Sequence, residues 1–373
     1  MRVTGRISLV FAAASLLLAG SARAETVVKI GAALSLTGPA AAYGAQQKAG
    51  ILAAVEELNK SGALKGVKLE AVVEDDASTK EQGIAVYQRF INKDKVAAII
   101  GPTLSNTATA ADPLAQGAGV PVVAVSNTAP KGITDVGDYI WRVSLTEGQV
   151  IPGALKRLQA KLGFKKAGMI YGNDDAFTQA GYNVMKGAVE ALALEVVGTQ
   201  TFAKPDKDYT AQLTSLLAAK PEILIVSALV ENASGIVAQA RQLGWQGPIF
   251  GGNGFNSPKL MANAGPAAEG VYVGTAWNKV STEAPNVAFQ KAMADRKHDP
   301  DQFCAQAYTG VLAIAEAIKL SGGKGGREEI RAGFLKVKGL ATPLGSFAFN
   351  KDRDGDHSAA LQVVKDGKFQ IVP

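Results

Sequence analysis

The sequence predicts an α/β protein built around two parallel sheets, each carrying helices on both faces. Three observations lead there. Between Val27 and Ala124, short apolar runs alternate with amphipathic stretches, the pattern of strands joined by crossover helices. After YIWRVS the same alternation starts again, so a second sheet is expected. The runs VAAII and PVVAV, within AAIIGPTLSNTATAA and GVPVVAVSNTAP, stop abruptly in Gly, Ser, Thr and Asn, as buried strands do on reaching an open sheet edge.

In chain order, the first series reads VVKIGAALS as a strand, a helix with Ile51, Leu52, Val55 and Leu58 at helical spacing, and KLEAVVED as a strand. A helix through Ile84, Tyr87 and Ile91 follows, then VAAII and PVVAV. The second series places KAGMIYG, LEVVGT, EILIVSA and PIFGGN as strands, with helices from Phe177 to Leu192, Tyr209 to Leu217 and Ile236 to Leu243 between them. After GVYVGTAW a helix carries Val311, Ile314 and Ile318 on one face, and the chain closes on the hairpin-like SFAFNKDRDGDHSAALQVV. No Pro/Ser-rich connector separates the halves, which implies lobes joined by short strands.

The segment from Asn106 to Gly117 carries Ala and Leu at helical spacing and can supply the crossover between the third and fourth strands. Ser105 and Thr128 then emerge at one sheet edge. With Ser105 or Asn106 as N-cap, backbone N–H groups and the positive helix end face the same space. This is an anion cradle without a cationic side chain, suited to a carboxylate or a phosphate.

The first 24 residues read as a cleavable export signal: Arg2 and Arg6, the apolar Ile7 to Leu18, then Ala22-Arg23-Ala24,. The mature chain is expected to start near Glu25, exported and soluble. Cys304 is the only cysteine, so no internal disulfide forms and large apolar cores must hold the fold. Losing Arg2, Arg6 and Arg23 lowers the formal charge from +6 to +3, too mild for a nucleic-acid partner.

Other chemistries fail on spacing. GGNGFNS has Ser257 where a dinucleotide loop needs its third glycine,. SGGKGGREE lacks the GK[ST] ending. NKDRDGD puts Asn350, Asp352, Asp354 and Gly355 where a calcium loop would, but Leu361 stands at the twelfth position,, so a solvated turn is expected. His298 and His357 have no partner at metal-ligand spacing,, and no GxSxG is present. The chain calls for no cofactor and no metal.

Across the whole mature chain the sequence resembles the type I periplasmic solute-binding proteins of the branched-chain amino acid (Leu/Ile/Val-binding) class, the capture subunits of ABC importers. The matching pieces stand in order: IGAALSLTGPAAAYG, AGILAAVEELN, VVEDDAS, IIGPTLSNT, VPVVAVSNTAP, WRVSLTEGQ, AQARQLGW, FGGNGF and AAEGVYVG. The resemblance implies two doubly wound Rossmann-like lobes joined by three crossover strands, with lobe I at 25–145 plus 276–349 and lobe II at 146–275 plus 350–373. It implies a ligand held in the cleft between them and handed to a permease in the inner membrane. By the same resemblance Ser105 and Thr128 bind the ligand carboxylate, and the Ser126 carbonyl takes its ammonium. Tyr43 lies at the cleft mouth, and Phe177 stands where the family has a Tyr.

One position departs from the family. Where the amino acid binders carry a Glu against the ammonium, this chain has Asn253. A buried ammonium without a counter-charge loses about 3 to 5 kcal/mol. Glu147, Asp174, Asp175 and Glu231 stand in nearby loops and are read as solvated surface acids unless one faces the cleft. Phe177, Phe255 and Trp277 near the cleft make an apolar or aromatic carboxylate without an amine a candidate ligand beside hydrophobic amino acids, Trp277 being divided between core and pocket. The reading is a monomeric periplasmic binder that breaks no bond. Its rivals are a secreted α/β enzyme using Asp174, Asp175 or Glu147 on a carboxylate substrate, and a ligand sensor of the same fold.

Overall fold

A computed structural model of the protein describes residues 25–372; the expected export signal lies outside the described residues. Strands β1 (Thr26–Leu34), β2 (Val67–Asp75), β3 (Ala98–Ile100), β4 (Val122–Ala124) and β5 (Ile140–Arg142) form an all-parallel sheet in the order β2-β1-β3-β4-β5. Helices α1 (Ala41–Ser61), α2 (Lys80–Arg89) and α3 (Ser105–Gly117) make its crossovers. Alternate strand residues feed opposite cores, because successive side chains point to opposite faces. Ile30, Ala32, Leu34 and Ile100 join Ile51 on one face, whereas Ala33 and Ile99 join Tyr87, Phe90 and Ala111 on the other.

The chain then leaves for a second sheet. It comprises β6 (Lys166–Gly172), β7 (Glu195–Phe202), β8 (Ile223–Ser227), β9 (Ile249–Gly251) and β10 (Val271–Thr275), parallel and interleaved with α4 (Glu147–Leu162), α5 (Ala176–Ala191), α6 (Thr210–Ala218), α7 (Val230–Gln242) and the short α8 (Lys259–Ala264). The same alternation recurs: Leu224 and Val226 pack with Ile236, while Ile223 and Ile225 pack with Met169 and Phe250.

From β10 the chain returns to the first lobe through α9 (Ala284–Asp295), α10 (Gln302–Leu320) and α11 (Arg327–Phe334), and adds a small antiparallel sheet of β11 (Leu340–Thr342), β12 (Gly345–Phe349) and β13 (Gly355–Asp356). A third passage leads to β14 (Ala360–Lys365) and β15 (Lys368–Ile371), which extend the second sheet antiparallel to β10. The closing segment is therefore not one hairpin. SFAFN pairs with Gly355 and Asp356, and ALQVV joins the other sheet. Among the described residues, α10 alone is long and apolar enough to span a membrane, but most of it is buried in the first core.

Several local expectations shift. Leu52 is 43% exposed although Ile51 and Val55 of the same helix are buried, because α1 turns only one stripe inward. Helix α7 begins at Val230, ahead of the expected Ile236. NKDRDGD is a turn in which the Asn350 side chain accepts from the Asp352 and Asp354 amides. Asp354 is then an ion-pair partner, 2.7 Å from Arg142 Nη2 where β5 ends. Arg142 is buried and also donates to the carbonyls of Asn127 and Ala129, so the one guanidinium fixes the loop after β4 and the approach to the third passage. Trp277 belongs to the first core, its indole donating to Asn286 at 2.9 Å.

Candidate ligand-binding cleft

Parallel strands deliver their C-terminal ends to one sheet edge, and ligands in such sheets bind there. After β3 the chain runs through Thr103 to Ser105, and after β4 through Ser126 to Thr128, so both clusters emerge together. Helix α3 starts at Ser105, and its N-cap is Leu104, which offers no side-chain acceptor. The expected capping by Ser105 or Asn106 is corrected: both are helical, and no side chain caps the first amides. The Asn106 amide reaches across to the second lobe instead, donating to Asp175 Oδ2 at 3.0 Å and accepting from the Ala176 N–H at 2.9 Å.

A cavity lies between the sheets, bounded from the first lobe by Tyr43, Thr103, Ser105, Ser126 and Phe303, and from the second by Phe177, Leu229, Asn253 and Gly254. Its volume is about 20 Å³, space for about one water, so the lobes are apposed. Polar contacts that join them include the Asn106 pair, the Gln302 amide donating to Asn253 Oδ1 at 2.8 Å, the Thr128 hydroxyl donating to Glu147, and the Tyr43 hydroxyl. Tyr43 donates to the Gly254 carbonyl at 2.7 Å and accepts from the Val230 N–H at 2.6 Å. Burial pushes its phenol far above the ordinary range, so it stays a neutral hydroxyl. The Tyr43 and Phe303 rings sit 4.4 Å apart and pack with Leu104, Phe177 and Leu229 in one apolar cluster that spans the cleft.

Five of the seven residues singled out from the sequence therefore face one space: Tyr43, Ser105, Ser126, Phe177 and Asn253. The other two do not line it. The Phe255 ring is fully buried beneath Gly251 in the core of the second lobe. Thr128 is buried to one side, where its hydroxyl donates to Glu147 Oε1 at 3.3 Å. Sequence reasoning missed Thr103, Leu229 and Phe303. Thr103 links the strand ends: its hydroxyl donates to Gln47 at 2.6 Å and accepts from the Ser35 N–H, and its carbonyl accepts from Ser126 Oγ. Only the position of Thr103, just past an apolar strand, hinted at this.

The four acids divide. Asp174 holds the Lys204 amide at the surface, and Glu231 accepts from Asn263 at an exposed contact. Asp175 is buried as the N-cap of α5, accepting from the Phe177 and Thr178 amides and pairing with Lys204 at 2.8 Å. Glu147 is not a solvated acid either. It opens α4, is 1% exposed, and lies beside Asn253. It can approach because residue 252 is glycine: a Cβ there would stand 2.6 Å from Glu147 Oε2. Burial raises its carboxyl to about 7, against the lowering effect of the Asn253 amide and the Thr128 hydroxyl. Glu147 Oε2 and Asn253 Nδ2 are both buried without a properly aligned hydrogen-bond partner.

Comparison with known proteins bears on this arrangement. A family model described as periplasmic binding protein matches residues 27–368. The chain belongs to the periplasmic binding protein family. This periplasmic binding protein is 28% identical over 354 residues to the leucine-, isoleucine-, valine-, threonine-, and alanine-binding protein of Pseudomonas aeruginosa, covering 94% of this chain and 93% of the relative. It superposes with a TM-score of 0.86 and 27% identity on the branched-chain amino acid transporter substrate binding protein LivJ of Streptococcus pneumoniae, solved with isoleucine, over 93% of this chain and 99% of that one. A solute binding protein of an R. palustris ABC transporter, solved with benzoate, shares the fold at a TM-score of 0.83 and 24% identity, over 93% of this chain and 95% of that one. The resemblance to the branched-chain class and the two-lobed type I fold hold over the described chain.

Proposed function

We propose that this protein captures a small ligand with a carboxylate and an apolar or aromatic body, a hydrophobic amino acid or an aromatic acid, in the periplasm. It carries the ligand, unchanged and as a monomer, to an ABC permease in the inner membrane. The observation that supports this most is the meeting of Ser105, the first amides of α3, which no side chain caps, and an apolar wall of Leu104, Phe177, Leu229 and Phe303 in one cleft between two sheets. A hydroxyl and helix amides suit a carboxylate, and the wall suits the body. Because the apposed lobes leave little space, the ligand enters with them parted. Its differential affinity then shifts the population toward the closed form.

We infer the lobe division as 25–145 plus 276–356 and 146–275 plus the C-terminal strands β14 and β15. The pairing of Gly355–Asp356 with β12 favours a third passage between Asp356 and Ala360 rather than at 350.

A thermal-shift screen with leucine, isoleucine, phenylalanine, the oxo-acid analogues of these three, benzoate, and carboxylate-free counterparts such as isoamylamine and benzyl alcohol tests the reading, since a ligand at 100 times its Kd stabilises by about 2.7 kcal/mol. Stabilisation by a carboxylate of this set supports it; stabilisation only by ligands without a carboxylate overturns it.

A further inference from the structure

Buried carboxylates in folded proteins are paired with a cation or fully hydrogen-bonded, because desolvating a charge otherwise costs too much. Glu147 meets neither condition. Its Oε1 has the Thr128 hydroxyl at 3.3 Å, and its Oε2 has the Asn253 amide nearby but no well-aligned hydrogen bond. The surroundings supply no charge. The loop after β4 offers Thr128, the turn after β9 offers Gly252 and Asn253, α5 offers Gly181, and α4 itself offers Ile151. Burial, the Asn253 amides and the Thr128 hydroxyl act on its carboxyl, and no cation does. Asn253, whose amide lies next to the carboxylate without a well-aligned hydrogen bond, also lines the cavity. Asn253 thus joins the cavity to Glu147, and a cation brought by a ligand would be the charge this carboxylate lacks.

We propose that Glu147 is a specificity-determining group of the cleft: it receives the cationic amine of the ligand and loses a proton to solvent as it does so. This rests on the carboxylate-binding reading of the cleft and narrows it. A ligand held by its carboxylate at Ser105 and by its amine at Glu147, with its body on Phe177 and Leu229, is an apolar α-amino acid. The step balances as a neutral carboxyl plus an ammonium giving a carboxylate–ammonium pair and one released proton. With the free carboxyl titrating at about 7, binding at pH 7 releases about half a proton, and the affinity falls about tenfold from pH 8 to pH 6. Leucine itself does not titrate in that range.

The test is calorimetry of the full mature chain with leucine, 4-methyl-2-oxopentanoate, which has the same carbon skeleton but a ketone for the amine, and benzoate. Titrations run in buffers of different ionisation enthalpy at pH 6, 7 and 8. For leucine, the expected result is proton release at pH 7 and about tenfold tighter binding at pH 8 than at pH 6. In Glu147→Gln both effects should vanish, with at least a 30-fold loss of leucine affinity and the oxo acid held within threefold of the parent. Leucine binding without proton exchange, or binding by the variant as tightly as by the parent, overturns the role of Glu147 and leaves the carboxylate reading standing. So does a parent that binds the two amine-free acids and not leucine. A parent that binds none of the three brings down both. Should the variant misfold, the proton count and pH profile of the parent decide alone.

Discussion

Replacing Tyr43 by Phe removes one oxygen that holds the two lobes together, and the structure sets the size of the effect. The hydroxyl makes two hydrogen bonds, at 2.7 Å to the Gly254 carbonyl and at 2.6 Å from the Val230 N–H, both from the first lobe to the second. Each is worth about 0.5 to 1.5 kcal/mol net, since water replaces the partners once the lobes part. The closed form should therefore lose about 1 to 3 kcal/mol relative to the open form. That corresponds to about 5- to 150-fold in ligand affinity when binding and closure are coupled. The ring and its tilted contact with Phe303 are retained, so the folded lobes should keep their stability. Calorimetry with a ligand found by the thermal screen, together with small-angle scattering of the free and loaded protein, reads both quantities. A Tyr43→Phe variant that binds as tightly as the parent and closes to the same dimensions would refute the idea that this hydroxyl clasps the cleft.

Three further outcomes are expected. Ser105→Ala should weaken ligand binding by about 1 to 3 kcal/mol through loss of a charge-assisted hydrogen bond with an unchanged urea midpoint; equal affinity by calorimetry would misplace the carboxylate. Gly50→Ala should destabilise the first lobe by about 1 to 3 kcal/mol, because its Cβ would stand 2.3 Å from the Cys304 carbonyl where α1 crosses α10; an unchanged urea midpoint would contradict that close approach. Asp112 is buried with one oxygen held by the Tyr87 hydroxyl at 2.9 Å, and burial raises its carboxyl to about 8. Between the unfolded value near 4 and that value the native state holds the extra proton, so stability drains as pH rises through this window. Asp112→Asn removes that contribution and should gain on the parent from pH 5 to pH 8 in urea unfolding, whereas parallel curves would show that Asp112 does not titrate with folding.

How much the chain disclosed depends on the range of each signal. Strand positions such as VAAII and EILIVSA were legible because a strand buried on both faces must be apolar throughout, and the Gly, Ser and Thr ending each run marked its open edge. Capping was legible only in kind. Ser105 and Asn106 look like N-caps, yet the helix begins a residue sooner and Asn106 turns outward to Asp175 across the cleft. That choice is made by an element about 70 positions away, out of reach of local propensity. The closing hairpin misled for the same reason, since β14 pairs with β10 and β15 and not with β12, the strand expected to face it.

The sequence by itself determined the two-sheet α/β architecture, the sheet edge that faces the cleft and five residues that border it, because periodicity and strand-end chemistry are local properties of the chain. It also marked Asn253 as the place where the charge pattern departs from the resembled family. Only the tertiary structure decided which of four acids stands beside Asn253. Burial depends on what packs around a side chain rather than on its type, and Glu147 is enclosed because Gly252 and Gly181 leave it room while Thr128 folds over it. The same packing placed Phe255 and Trp277 in the cores and Phe303 in the cleft, although all three are aromatic residues that look alike in sequence.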